Sequence, residues 1–518
     1  MTDANLYTRL SARFSAEPDR RFAVLPDGRL YTYAGLEKAS ARFANALVAL
    51  GVQPGDRVAV QVDKSIEALM LYLGTQRAGG VFLPLNTAYT PAEVGYFLSD
   101  AEPAVFVCDP ARADALGKVA VQAETLLETM GVYRKGAPAP GSLLELALAE
   151  EEAFETVARA PDDLAAILYT SGTTGRSKGA MLTHENLWSN AATLCDYWRF
   201  TRDDVLLHAL PIFHTHGLFT SSNTVMAGAG AMIFLPRFDA DEVVGWLPGA
   251  TSMMGVPTFY TRLLDHPRFT RQLVEHMRLF TSGSAPLLAE THHAFEQRTG
   301  HRILERYGMT ETNMNTSNPY DGERRAGTVG FPLPGVELRI ADPDTGKALE
   351  RDETGMIEVK GPNVFKGYWR NPEKTAEEFR ADGFFVTGDL GLIDADGYVT
   401  IVGRSKDLII SGGFNVYPKE VEEAIDALEG VEESAVIGVP HPDFGEGVIA
   451  AVVPAKGSRV SEEAVVAGLK EGLARFKQPK RVFVVDALPR NAMGKVQKKA
   501  LRERFADTFT GGEKVSKT

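Results

Sequence analysis

The chain has 518 residues, of which 44% are hydrophobic and 24% charged, and carries a formal charge of −13. Such a length exceeds one ordinary core and predicts about two to four domains. The acidic balance excludes wholesale nucleic-acid binding, which needs a basic field over a large face, so any polyanionic ligand must be held by local groups. Cys108 and Cys195 are its two thiols, each in or beside an apolar stretch and without metal-ligand spacing. They argue against a disulfide or zinc site and for a reducing compartment. The first residues lack a basic segment followed by an apolar core, and nowhere do about 18 apolar residues run together. A cytoplasmic protein without a membrane anchor is expected.

In chain order, an opening amphipathic helix precedes a hairpin, residues 22–25 and 30–33 around Pro26-Asp-Gly-Arg29. Residues 34–50 carry Leu36, Ala39, Phe43, Leu47 and Leu50 at helical spacing, with Gly51 as the stop. Strands at 57–62, 81–84 and 104–108 then alternate with helices at about 65–78 and after Thr90-Pro91, the pattern of parallel βαβ units. The stretch 110–160, rich in Ala, Glu and Leu, is expected to form helices between two lobes. An apolar run, 164–168, precedes a polar loop, and Thr183 is placed to cap a helix beginning in 181–188, with Asn186 where Glu or Gln is usual. A second α/β unit continues to about residue 330. Short strands at 330–335, 336–340, 355–360 and 397–402, separated by Gly, Pro and Asp turns, predict a β-rich subdomain. A boundary near Lys406 opens a small α+β domain with a polar tail, 511–518, expected to be disordered. The predicted class is α/β, with a large N-terminal domain over 1–405 and a small mobile domain over 406–518.

The loop Tyr169-Thr-Ser-Gly-Thr-Thr-Gly-Arg-Ser-Lys-Gly179 reads as a phosphate cradle. Its glycines let the backbone approach an anion, Ser171, Thr173, Thr174 and Ser177 offer hydroxyls, and Lys178 is a point charge. The spacing is not that of a Walker loop.

Five stretches together resemble one family, the adenylate-forming acyl-CoA synthetases, relatives of luciferases and peptide-synthetase adenylation domains. They are Tyr169–Gly175 with Lys178-Gly179, Tyr307-Gly-Met-Thr-Glu311, Thr387-Gly-Asp-Leu390, Gly403-Arg-Ser-Lys-Asp407 and Asn491-Ala-Met-Gly-Lys495. The resemblance covers nearly the whole chain; Ser177 departs from it, standing where the family often has proline. It implies that a small-molecule carboxylate attacks the α-phosphorus of Mg-ATP, and that coenzyme A then displaces AMP to leave a thioester. The work is positioning and charge neutralisation, without a protein nucleophile.

By that resemblance Thr170, Ser171, Gly172, Thr173, Thr174, Gly175 and Lys178 grip the β- and γ-phosphates, Thr310 reaches the α-phosphate, and Glu311 holds Mg²⁺. Tyr307 faces adenine with Ser284, Ala285 and Pro286 opposite, while Asp389 and Arg404 take the ribose or phosphate. Lys495 is the adenylation lysine, Lys406 the hinge about which the small domain rotates, and Gly412 and Gly413 line the pantetheine tunnel. His214 matches an aromatic gate.

The acyl pocket is expected among 256–262, Thr281-Ser282-Gly283 and 306–314, including Ser282 and Met314. Arg306 stands where ligases for aromatic and fatty acids commonly have a small residue. A guanidinium there demands an anionic partner, either a second substrate carboxylate or its neighbour Glu305. Arg262 is a candidate second clamp. The run 305–315 resembles malonyl-CoA synthetases, implying ligation of malonate and also methylmalonate; another short or medium-chain acid, or loading of a carrier protein, is the alternative.

Overall fold

The computed structural model describes residues 3–131, 133–134, 137–138, 141–170, 177–411, 414–470, 473–491 and 494–509. The expected disordered tail lies outside them. The chain divides into two compact units: Met1–Ala326 with Gly330–Glu337 and Val359–Phe385, and Gly327–Val329 with Leu338–Glu358 and Val386–Thr518. Lys406 falls inside the second unit, which groups β-rich strands with the C-terminal residues.

In the first unit, the expected βαβ alternation builds a sheet in which, among the described residues, Arg57–Gln61 lies parallel between Val81–Pro84 and Val105–Cys108. Leu126–Thr129 adds parallel to its edge, so the stretch after residue 110 contributes a strand as well as helices. Its apolar face packs Ile167, Phe97, Phe106 and Leu83 into one core. Helix Pro91–Ala101 starts as predicted, with Thr90 and Glu93 bonding reciprocally. Cys108 and Cys195 are both buried and free, and burial pushes each thiol up to about 11.

A second sheet carries Val205–His208, Ser252–Gly255, Leu279–Ser282 and Leu304–Met309 side by side and parallel. Phe280 and Phe295 centre its core. In α/β sheets the ligand crevice lies beyond the carboxyl ends of such strands, and that is where Gly283 and the turn after Met309 emerge. In the second unit, Val431–His441 and Gly445–Pro454 pair antiparallel, with Val436, Val448 and Ile425 on one face and Ile437, Ile449 and Leu501 on the other.

No described helix is long and apolar enough to cross a membrane.

Candidate active site

Leu164–Thr170 and Lys178–Thr183, the strands on either side of the glycine-rich stretch in the sequence, pair antiparallel with Thr170 opposite Lys178. Residues 181–183 belong to the second of these strands, and the helix begins at His184. Thr183 and Asn186 close its capping box, asparagine serving in place of the usual Glu. Ser171, Gly172, Thr173, Thr174 and Gly175 lie outside the described residues. Where the two strands end, Thr170 Oγ1 donates to Lys178 O at 3.5 Å.

A neighbouring hairpin, Leu304–Met309 with Asn313–Ser317, carries Tyr307 in its first strand and turns through Thr310 and Glu311. Tyr307 and Glu311 are buried and Thr310 half-buried. One buried carboxylate is what a hard ion carried by a triphosphate asks of a protein, because phosphates and water complete its shell. Glu311 fits Mg²⁺ in that sense.

Two residues that the sequence reading passed over join this group. The strand Gly367–Tyr368 pairs with Lys178–Thr183, Tyr368 opposite Ala180, and the helix Pro372–Glu378 follows. Lys178 Nζ lies 4.8 Å from the centre of the Tyr368 ring and 3.6 Å from Glu378 Oε1. Tyr368 Oη is 3.1 Å from Glu311 Oε1 and 2.6 Å from Glu378 Oε2. Burial, then the charge of Glu311 and the hydrogen bond to Glu378, hold the phenol well above its ordinary range, so it stays a donor.

In the stretch expected to line the acyl pocket, Arg306 is 2% exposed, and its Nε and Nη2 meet no hydrogen-bond partner among the described residues. It does not pair with Glu305, whose Oε1 accepts from the Leu287 N–H at 3.4 Å. Burial lowers the guanidinium to about 9. Its plane lies on Gly283: a Cβ there would stand 2.5 Å from Nη1, so only glycine allows this approach. Ser284 follows with φ 72°, a conformation that stores strain in a non-glycine residue. Its Oγ is 3.1 Å from His216 Nδ1, while His216 Nε2 and Ser282 Oγ, both buried, also meet no partner among the described residues.

His216 is thus the buried imidazole beside Arg306, and burial followed by that charge keeps it neutral. It opens a π-helical stretch, His216–Asn223, and a Cβ on the next residue, Gly217, would lie 2.0 Å from Pro211 O. His214 is half-buried; its Nδ1 accepts from the His216 N–H at 3.5 Å. Met314 is buried in the strand beside Gly308. Ala285 is half-buried and Pro286 exposed. Arg262 is exposed, two residues beyond the buried Tyr260 on the helix Pro257–Leu264, and so sits in a different environment from Arg306.

In the second unit Asp389 and Arg404 stand opposite each other on paired strands, with Arg404 Nε 2.6 Å from Asp389 Oδ1. Thr387 Oγ1 accepts from the Asp389 N–H at 3.1 Å. Lys406 lies in the turn Ser405–Asp407, its ammonium disfavoured by burial and then by Arg404. Gly412 and Gly413 lie outside the described residues. Lys495 is exposed on a loop closed by Asn491, whose Oδ1 accepts from the Lys495 N–H at 2.9 Å.

Comparisons with known proteins agree with this geometry. Residues 10–369 match the AMP-binding enzyme family and residues 420–495 the AMP-binding enzyme C-terminal domain. The crystal structure of ATP-bound MatB from Rhodopseudomonas palustris is 60% identical, covers 98% of this chain and 100% of its own, and superposes with a TM-score of 0.95. A malonate–CoA ligase of Arabidopsis thaliana is 34% identical over 93% of this chain and 86% of that protein. A feruloyl-CoA synthase of an Amycolatopsis species is 38% identical over 93% of this chain and 96% of that protein. Both the large domain and the C-terminal domain are matched, and the chain belongs to the AMP-binding enzyme family, as an enzyme of the AMP-forming acid–thiol ligase class.

Proposed function

We propose that the enzyme ligates malonate, and methylmalonate, to coenzyme A through an acyl-adenylate, consuming ATP with Mg²⁺ and releasing AMP and pyrophosphate. The observation that carries the acid is Arg306. A buried guanidinium without a protein counter-ion costs several kcal/mol, on the order of a broken buried pair, unless a ligand supplies the charge. A second carboxylate does so bidentately, and its oxygens also suit the unpartnered Ser282 Oγ and His216 Nε2. An apolar acyl tail would leave all of these unsatisfied. The names of the relatives do not select the acid by themselves, since malonate and ferulate ligases match at similar identity.

The roles follow from the family resemblance and the chemistry of each group. Thr170 to Lys178 hold the β- and γ-phosphates, Thr310 the α-phosphate, and Tyr307 with Ser284, Ala285 and Pro286 the adenine. Asp389 and Arg404 take the ribose. Mg²⁺, held by Glu311, supplies neutralisation of triphosphate charge when bound. Lys495 stabilises the pentavalent phosphorus and the attacking carboxylate. Lys406 is the hinge at the boundary between the domains 1–405 and 406–518, and Gly412 and Gly413 give the pantetheine arm room. His214 gates that arm, and Arg262 is the candidate second clamp on the substrate carboxylate.

Pyrophosphate release measured with malonate, methylmalonate, succinate, acetate and octanoate tests the assignment. Malonate is expected to give the highest kcat/KM, with methylmalonate next. Preference for acetate or octanoate would refute it.

A further inference from the structure

Lys178 and Glu311 are a cation and an anion facing the same site, one expected to meet phosphate and the other a metal. Opposite charges so placed pair with each other when nothing separates them, which would close the site to the nucleotide. Here Tyr368 touches both: its ring lies under the Lys178 ammonium and its hydroxyl faces Glu311. Glu378 supplies the charge that Lys178 lacks, at 3.6 Å, and is itself held by Lys374 Nζ at 3.1 Å, one helical turn earlier.

We propose that Tyr368 and Glu378 are positioning residues for adenylation: Tyr368 keeps Lys178 apart from Glu311, and Glu378 is the counter-ion that Lys178 exchanges for the triphosphate. Lys374 remains on Glu378 after the exchange, so the released carboxylate is not left uncompensated. The single Tyr368 proton serves two carboxylates and fixes the direction in which Glu311 points. This inference rests on the placement of the triphosphate at Lys178 and of the metal at Glu311.

The geometry sets opposite signs for neighbouring substitutions. Glu378→Gln removes a competitor for Lys178, so ATP without metal, its affinity measured by calorimetry in EDTA, binds tighter by about fivefold, the scale of one partly exposed ion pair. In the same variant the KM for ATP and kcat fall together, because Lys178 is no longer held in place. Lys374→Met leaves Lys178 as the one ammonium on Glu378 among the described residues, and metal-free ATP binds more weakly. Tyr368→Phe keeps the ring but loses the hydroxyl. Its metal-free ATP affinity stays within about twofold of wild type, while the Mg²⁺ concentration giving half-maximal adenylation rises about tenfold, the usual effect of losing a hydrogen bond to a metal ligand.

Lys178→Met separates the two layers of the argument. It weakens metal-free ATP binding, and on that background Glu378→Gln has no further effect. If Lys178→Met weakens binding but Glu378→Gln in the wild type leaves it unchanged or weaker, the counter-ion role is overturned and the triphosphate site stands. If Lys178→Met leaves ATP binding unchanged, the site assignment itself fails, and this proposal with it. An unmoved Mg²⁺ dependence in Tyr368→Phe overturns the role of its hydroxyl.

Discussion

Arg306 shows how one residue carries both a cost and a function. Its guanidinium is buried on Gly283 with two nitrogens unpartnered among the described residues, so without the proposed second carboxylate the protein bears an uncompensated charge. Replacing it by Leu is therefore expected to leave the unliganded melting temperature unchanged or higher, while malonate, which raises the melting temperature of the wild type, no longer does so. Thermal unfolding with and without malonate measures both. Gly283→Ala acts on the same contact from the other side. Its methyl would stand 2.5 Å from Nη1, so Arg306 must shift, and kcat/KM for malonate is expected to fall by about tenfold or more in pyrophosphate-release assays.

At the scale of elements, legibility follows sequence proximity. The Tyr307–Glu311 turn sits in one short run, and Asp389 and Arg404 in two runs joined by one pair of consecutive strands, so neighbours in sequence stay neighbours in space. Arg306 was legible by comparison within the family, as a charge standing where ligases for aromatic and fatty acids commonly have a small residue. Tyr368 and Glu378 were not, because they reach Lys178 only through pairing of strands nearly two hundred residues apart in the chain. Nor was His216, since the phase of the π-helical stretch decides which of two nearby imidazoles is buried. The strand Leu126–Thr129 hid in a helix-rich composition because it is a half-exposed sheet edge. The Asn491–Lys495 loop belongs to the small domain and makes its own prediction. Lys495→Ala is expected to abolish adenylate formation while thioester formation from preformed acyl-adenylate survives, as rapid-quench assays of the two half-reactions would resolve; equal loss of both would contradict alternation by the small domain.

For the whole molecule, the acidic balance leaves anion binding to a few local cations, and burial governs how those and other ionisable groups respond to pH. Two buried imidazoles, His184 and His292, are pushed by burial from 6.5 to about 4. Below pH 6.5 the unfolded chain binds protons at both that the folded chain refuses until about pH 4. Stability therefore falls as pH falls through that window, by up to about 1.4 kcal/mol per pH unit for each imidazole. Denaturant unfolding at a series of pH values measures the slope, which His292→Gln is expected to flatten. The reading of the molecule as a ligase for a doubly charged acid rests above all on Arg306. The most direct measurement is pyrophosphate release from malonate by the wild type and by Arg306→Leu, side by side with ATP and Mg²⁺ saturating. Loss of at least about 100-fold in kcat/KM in the variant is the expected result, and malonate turnover retained at the wild-type level would contradict it.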